Sequence, residues 1–247
     1  MSKRIVYGMN PVKELVTARA NDVSVVYVAV GGGAQMKPLI EACKNRRVAV
    51  EERDKKELDA LAGAGAKHQG VVAIAGAYHY PDLDHVLDEV DERRETALVV
   101  VLDSVQDPHN LGAIVRSAHV MGAHAVVIAK DRAAPVTPAA VKASAGATEH
   151  IPIVQVVNIA RALDDLKERG VWTVGAVMGE DATPPGDLDL KGPIALVLGA
   201  EGKGLRPLVA KTCDMRAKIP MSGQVASLNV SAAAAILLYE AARQRGA

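Results

Sequence analysis

One segment of the chain carries polar side chains suited to contacts with phosphates and hydroxyls. It spans residues 107–118 (DPHNLGAIVRSA) and contains Asn110 and Arg116. Asparagine ahead of an apolar-periodic run is also a good helix N-cap, so Asn110 is compatible with either role. An arginine amid small and apolar residues is harder to explain as a surface charge. Because a guanidinium with a pKa above ~12 is a poor base, we expect Arg116 to orient a hydroxyl and its neighbouring phosphate.

A second segment combines a short apolar run with a glycine-rich turn. Residues 194–204 (IALVLGAEGKG) contain three glycines that let backbone approach a ligand closely, and the turn carries one carboxylate, Glu201. Two roles are open for Glu201. It could hold the loop by accepting backbone N–H bonds, or it could face a positively charged ligand. The pattern predicts a ligand-binding turn after a buried strand.

A third segment, residues 219–240, leads through a Ser-Gly-Gln loop into a long helix rich in alanine and leucine. Ser227, Asn229 and Ser231 lie where that helix should begin. Taken one at a time, helix capping explains each of them, with Ser227 the natural N-cap. The N-terminus of such a helix also offers free backbone N–H donors. We therefore expect the start of this helix to lie near the glycine-rich turn.

These three segments, in this order, resemble the three motifs of the SpoU (TrmH-type) RNA ribose 2′-O-methyltransferases of the SPOUT superfamily. The resemblance implies transfer of a methyl group from S-adenosylmethionine (SAM) to a ribose 2′-OH, without a metal ion. The matching positions imply a catalytic set of Asn110, Arg116, Glu201, Ser227 and Asn229. They imply that SAM is held by Leu198, Gly199, Gly202, Ile219 and Leu228. The family likeness further implies a homodimer that packs through the C-terminal helix.

Two N-terminal segments, YGMNPVKE (7–14) and HQG (68–70), resemble the RNA-binding domain of the RlmB branch of this family. That branch modifies a guanosine ribose in 23S ribosomal RNA, which is therefore the implied substrate. The same chemistry on transfer RNA is one alternative. A non-catalytic RNA-binding ribosome-assembly factor is another, and it would be expected to have lost Arg116, Asn229 or the glycine turn. A dinucleotide-dependent enzyme is disfavoured because the first βα turn of the C-terminal part lacks GxGxxG.

The alternation of strand and helix patterns predicts an α/β protein. Beyond residue 97, continuous β-branched runs separated by amphipathic helices indicate a mostly parallel sheet that is covered on both faces. The resemblance implies a SPOUT domain with a trefoil knot near the C-terminus. Residues 1–78 have a strand–helix pattern of their own, which predicts a small N-terminal α/β domain that binds RNA.

The net charge is zero, but the charge is unevenly distributed. Residues 1–78 hold 12 Lys and Arg against 8 Asp and Glu (+4), whereas residues 79–96 hold 2 against 7 (−5). We therefore predict an RNA-binding domain at 1–78, an acidic linker at 79–96 and the methyltransferase domain at 97–247. Apolar residues at helical spacing indicate that the linker includes a short helix. A fragment that starts near Thr96 is expected to stay folded.

The amino-acid composition limits the kinds of reaction and binding site that the chain can provide. With five Tyr, one Trp and no Phe, the chain offers few aromatic side chains to hold an unstacked base, so we expect ribose rather than base modification. Cys43 and Cys213 have no CxxC spacing, which indicates neither a zinc site nor a disulfide. No apolar run approaches the ~20 residues of a membrane span, and we expect a cytoplasmic protein.

Three further polar residues near the motifs are interpreted as structural. Glu149, in the sequence SAGATEHIPI, is either a structural or a substrate-side carboxylate at the end of the first motif, and we favour the structural role. His109 and His150 flank the motifs, and no carboxylate lies at a sequence spacing that would make either of them an acid–base catalyst.

Overall fold

The computed structural model describes residues 3–63, 65–179, 181–224 and 227–246. Its strands are β1 (Lys3–Tyr7), β2 (Val23–Ala29), β3 (Val50–Arg53), β4 (Val71–Gly76), β5 (Leu98–Asp103), β6 (Ala125–Ala129), β7 (Ile153–Val156), β8 (Trp172–Ala176), β9 (Ile194–Gly199) and β10 (Met215–Ala217). Its α-helices are α1 (Met9–Arg19), α2 (Lys37–Asn45), α3 (Lys55–Ala62), α4 (Leu83–Glu92), α5 (Pro108–Val120), α6 (Pro138–Ala143), α7 (Ile159–Glu168), α8 (Pro207–Thr212) and α9 (Val230–Gln244).

The N-terminal part forms a four-stranded sheet in the order β1-β4-β2-β3. Strands β1 and β2 both pair antiparallel with β4, whereas β2 and β3 are parallel. Helix α1 packs its apolar residues into a core that also holds side chains of β2, α2 and β4. The predicted N-terminal α/β unit is therefore present. Strand β1 is an addition that the sequence pattern did not predict.

The C-terminal part forms a six-stranded sheet in the order β10-β8-β9-β5-β6-β7. Every pairing in it is parallel, which confirms the predicted parallel sheet. Because the strands are parallel, the turns that follow β5, β8 and β9 lie at one edge of the sheet. That edge is where residues from distant parts of the sequence come together. The trefoil knot stays a prediction of the family resemblance.

The acidic linker contains α4, and this helix packs against the larger sheet. Its apolar residues, at most 8% exposed, lie in one core cluster with side chains of β5, α7 and β9: they are Leu83, Val86, Leu87 and Val90. On its outer face, Asp88 and Asp91 accept hydrogen bonds from Arg169, at 2.7 and 2.9 Å. The packing makes α4 part of the C-terminal unit, which revises the expectation that a fragment starting near Thr96 stays folded.

We expect a fragment of residues 79–247 to fold, and one of residues 97–247 to be strongly destabilised. Burial of the four apolar side chains of α4 contributes on the order of 6 kcal/mol, which is comparable to the whole stability of an ordinary domain. Thermal melts followed by circular dichroism compare the two fragments. Equal midpoint temperatures would show that α4 contributes nothing to the stability of the unit.

The end of the chain returns to the start of the C-terminal unit. Arg245, just beyond α9, donates hydrogen bonds to the carbonyls of Thr96, Ala97, Leu190 and Gly192. The pKa of Arg245 is lowered by burial. One side chain therefore ties the end of α9 to the residues just before β5 and to the turn before β9. Among the described residues, no helix has the length and apolar character that crossing a membrane requires.

Candidate functional site

The glycine-rich turn after β9 folds back tightly on itself. Gly204 donates its N–H to the carbonyl of Ala200 at 2.9 Å. A Cβ atom placed on Gly199 would lie 2.0 Å from the carbonyl carbon of Gly204, far inside van der Waals contact. Gly202 and Gly204 have φ angles of +72° and +64°, which favour glycine. The three glycines therefore let residues 199–204 form a compact loop at the edge of the sheet.

A buried carboxylate fixes the far end of this loop. Asp103, at the carboxyl end of β5, pairs in register with Gly199 and has a fully buried side chain. It accepts hydrogen bonds from the backbone N–H of Arg206 at 2.8 Å and from Nε of the same residue at 2.7 Å. The loop is thus held at both ends, by β9 and by Asp103. Nothing in the local sequence around Asp103 predicted this anchor.

Three polar side chains from the three sequence motifs meet at the mouth of the loop. Asn229 donates through Nδ2 to Oδ1 of Asn110 at 3.0 Å and also to Glu201. Asn110 donates through its own Nδ2 to the second oxygen of Glu201 at 3.4 Å. The Glu201 carboxylate therefore accepts from two side-chain amides. Neither of the two roles considered for it from sequence included these partners.

Helix α9 determines which way the Asn229 amide points. Asn229 is the N-cap of the helix, and its Oδ1 accepts from the backbone N–H of Ser231 at 2.8 Å. Because that oxygen faces the helix, Nδ2 has to face Asn110 and Glu201.

The prediction that Ser227 is the N-cap is wrong, since the helix begins two residues later. The capping interpretation of Asn110 is also wrong: Asp107 caps α5, and Asn110 is 8% exposed in the first helical turn.

A cavity of about 270 Å³ opens beside this polar cluster. All five residues predicted to hold SAM line it, namely Leu198, Gly199, Gly202, Ile219 and Leu228. Glu201 and Ser227 from the predicted catalytic set line it as well. The structure therefore brings four of the five predicted catalytic residues, and every predicted cofactor residue, to one place.

Arg116 is the predicted site residue that lies apart. It is on α5, six residues beyond Asn110, which corresponds to about 9 Å along the helix axis. Its side chain is exposed and makes no hydrogen bond or ion pair with any residue in the described ranges. Arg116 therefore faces solvent and is accessible to a large ligand.

Several residues of the cavity were not anticipated from sequence. They belong to the end of β8 and the two residues after it, to the loop before α9 and to the first turn of α9: Ala176, Val177, Met178, Met221, Val230 and Ala233. Ligands bind at the carboxyl ends of parallel strands, and this rule could have identified Ala176, Val177 and Met178 if the position of β8 beside β9 had been known.

The structure also locates the cysteine and the two histidines that lie near the motifs. Burial raises the pKa of Cys213 to about 11, so its thiol stays protonated and is a poor nucleophile. His109 is exposed at the start of α5. His150 does have a carboxylate partner, Glu14 at 2.8 Å, which its sequence neighbourhood could not show because 136 positions separate the two residues. In the described ranges, no three His, Cys, Asp or Glu side chains converge as metal ligands do.

Two family models match the chain. The model of the SpoU rRNA methylase family matches residues 97–239, and the model for RNA 2′-O ribose methyltransferase substrate binding matches residues 5–81. The first covers the six-stranded sheet with its cavity. The second covers the four-stranded sheet, except for the first two residues of β1, and extends just beyond β4.

Individual relatives agree with these matches. A TrmH family protein of Bacillus subtilis, YacO, whose name covers both tRNA and rRNA, is 44% identical over 85% of this chain and 84% of its own. The 23S rRNA (guanosine-2′-O-)-methyltransferase RlmB of Pseudomonas putida is 41% identical over 97% of this chain and 96% of its own. The solved structure of the SpoU methyltransferase AviRb from Streptomyces viridochromogenes, in complex with AdoMet, has a TM-score of 0.80 and 28% identity over 98% of this chain and 90% of its own.

The fold, the cavity and these matches define a methyltransferase, and the chain belongs to the SpoU rRNA methylase family. It is an RNA ribose 2′-O-methyltransferase that takes its methyl group from SAM. The family, the reaction and the methyl donor implied by the three motifs are thereby confirmed.

Proposed function

We propose that the chain methylates the ribose 2′-OH of a guanosine in 23S rRNA, in the cytoplasm and as a homodimer. The observation that carries the proposal is the position of the Asn110–Asn229–Glu201 cluster at the mouth of the cavity behind the glycine loop. Such a site offers a mostly apolar cavity beside hydrogen-bonding groups. A methyl donor and a hydroxyl acceptor need these two environments side by side.

The residues that line the cavity suit SAM chemically. Gly199 and Gly202 line the cavity without side chains, so the ligand would lie against backbone as well as against the apolar side chains of Leu198, Ile219 and Leu228. The carboxylate of Glu201 is opposite in charge to a sulfonium. When bound, SAM supplies a methyl group that is already electrophilic. The protein has mainly to align the acceptor oxygen with it.

The polar residues are suited to the RNA side of the reaction. Asn110, Ser227 and Asn229 carry amide and hydroxyl groups that can donate to or accept from a ribose hydroxyl. We assign to Arg116 the orientation of the 2′-OH and its neighbouring phosphate, because its guanidinium is exposed and a poor base. Glu201 holds the two asparagine amides in place.

The choice of substrate rests on the N-terminal unit and on the relatives. Residues 1–78 carry a net charge of +4, as expected of a part that contacts phosphates. The RlmB relative of Pseudomonas putida, which aligns over both units, is named for a guanosine of 23S rRNA. The substrate-binding family model falls on the same unit. We therefore assign residues 1–78 to binding 23S rRNA.

An exposed apolar face of α9 supports the proposal that the chain forms a homodimer. Ala232, Ile236 and Tyr239 lie at helical spacing and are exposed, Ile236 at 41% and Tyr239 at 56%. An apolar stripe of this kind on a helix that begins at the site favours pairing with a second copy. Analytical ultracentrifugation measures the mass: a species of about 52 kDa supports the dimer, and a monomer of 25.8 kDa at micromolar concentration contradicts it.

Methyl-labelled SAM and ribosomal RNA from cells that lack this protein test the reaction. A 2′-O-methyl group removes the nucleophile for alkaline strand cleavage, so we expect the label in one alkali-resistant dinucleotide with a 5′ guanosine. Transfer RNA from the same cells serves as the competing substrate. Label found in transfer RNA alone would show that the substrate is transfer RNA and not 23S rRNA. Absence of transfer to either RNA would favour the non-catalytic assembly factor.

A further inference from the structure

The two units of the chain meet at an interface built around a buried carboxylate. Glu149 lies in the turn Ala147–Glu149 of the C-terminal unit, and its side chain is fully buried. It accepts two parallel hydrogen bonds from Arg4 of β1, at 2.8 and 2.7 Å. Arg19, at the end of α1, donates to the backbone carbonyl of Glu149 at 3.2 Å. Two basic residues of the N-terminal unit therefore bond to one acidic residue of the C-terminal unit.

Tyr78, in the segment that connects the two units, packs its ring against this ion pair. The guanidinium groups of Arg4 and Arg19 lie 5.3 and 5.4 Å from the centre of its ring. Its hydroxyl donates to the carbonyl of Thr148 at 3.2 Å. Burial raises the pKa of Tyr78 to about 12, so the phenol stays neutral. An aromatic ring therefore covers one side of the charged pair and adds a cation–π contact to each arginine.

The two N-terminal motifs contribute a second set of contacts. In the 7–14 motif, Glu14 pairs with His150, and Pro11 lies within 3.1 Å of the position that a Cβ atom on Gly146 would take. In the 68–70 motif, Gln69 accepts from Nζ of Lys142 at 2.6 Å and from the backbone N–H of Met9 at 3.2 Å. Residues of both motifs thus contact the methyltransferase unit directly.

The interface is also closely packed. Gly146 has a φ of +95°, and a Cβ atom there would lie 2.7 Å from Cβ of Glu14, so only glycine lets α1 approach. Val141 of α6 is 2% exposed and belongs to the core cluster of the N-terminal unit. AviRb superposes on 98% of the chain, which includes both units, with a TM-score of 0.80. These features are typical of a fixed docking rather than of a loose tether.

We propose that the 7–14 and 68–70 motifs dock the N-terminal unit on the methyltransferase unit at one distance and orientation, with Glu149 as a positioning residue for the RNA. The proposal rests on the proposed function, since it requires that the N-terminal unit binds the RNA substrate. A fixed docking presents only a ribose that lies at the matching separation from the bound RNA element. It also avoids the ordering cost that a mobile RNA-binding unit would add.

The variant Glu149→Gln tests the docking, because it keeps the shape of the side chain and removes the charge that faces Arg4. We expect a larger radius of gyration in small-angle X-ray scattering, and a KM for the RNA raised about tenfold. The dissociation constant for SAM should stay within about twofold of wild type, since Glu149 does not line the SAM cavity. Glu168→Gln is the matched control, an exposed glutamate at the end of α7 that should change none of these quantities.

The double variant Glu14→Gln/Gln69→Ala weakens the same interface at other contacts, and it tests the docking if Glu149→Gln fails to fold. Both side chains are partly or fully exposed, so their loss should loosen the interface and leave both cores intact. A raised KM for RNA without a change in the radius of gyration would mean that these residues touch RNA directly, and it would overturn the proposal. A larger radius with an unchanged KM would overturn it as well. If the wild-type protein methylates no RNA, the proposed function fails, while the scattering still tests the docking itself.

Discussion

Replacing Arg116 with alanine is expected to reduce kcat for methyl transfer by on the order of 100-fold or more, with the affinity for SAM and the melting temperature unchanged. The structural reason is its position. The guanidinium is exposed on α5 and bonds to no residue of the described ranges, so its removal breaks nothing in the fold. It also lies outside the cavity that we propose to bind SAM. Calorimetric titration with SAM, beside a methylation assay under saturating RNA, measures the two effects separately.

Arg161→Ala is the matched control for this variant. Arg161 is likewise an exposed arginine on a helix, α7, on the opposite side of the sheet from α5. Loss of its charge should leave kcat near the wild-type value. Near-wild-type turnover by Arg116→Ala itself would remove this residue from the reaction. An equal loss of activity in both variants would instead indicate a general need for positive charge.

Replacing Gly199 with alanine is expected to weaken SAM binding by on the order of 100-fold. The added methyl group would lie 2.0 Å from the carbonyl carbon of Gly204 and 2.1 Å from its oxygen, whereas carbon atoms in contact are about 3.5–4 Å apart. Both obstacles are backbone atoms, so the loop has to open. The opening displaces Gly202 and Glu201 together. Titration with SAM below the melting temperature of the variant measures the loss.

Gly192→Ala provides the comparison for that experiment. Gly192 precedes the same strand, but a Cβ atom there would meet nothing within 4 Å, and its φ is not in the left-handed region. This variant should bind SAM as the wild type does. If Gly199→Ala also bound SAM normally, the compact form of the loop would be irrelevant to the methyl donor, and the assignment of the cavity would be wrong.

The sequence predicted most elements of the fold because their patterns are strong. Runs such as LVVVLD in β5 are buried along their whole length, as expected for a parallel sheet covered on both faces. Strands β1 (KRIVY) and β10 (MRA) were not predicted. Each is short and contains basic residues, and each exists because a neighbouring strand offers a free edge. That information lies in the tertiary structure and not in the local sequence.

The sequence predicted which residues form the site but not which hydrogen bonds join them. The motifs identified Asn110, Glu201 and Asn229, and the structure places them within hydrogen-bonding distance of one another. Which polar residue caps α9 depends on where the helix starts, and a difference of two residues moved the cap from Ser227 to Asn229. The partners of Glu149 and His150 lie more than 100 positions away, so no spacing rule could have found them.

The order of strands has a consequence for synthesis on the ribosome. Strand β9 pairs with both β5 and β8 in the middle of the sheet, yet about ninety residues are translated between the end of β5 and the start of β9. During that interval one edge of β5, which is entirely apolar except for Asp103, has no partner and is open to intermolecular pairing. Parallel pairing across such a separation is also intrinsically slow. Nascent chains of this protein are therefore expected to need shielding by a chaperone until β9 has emerged.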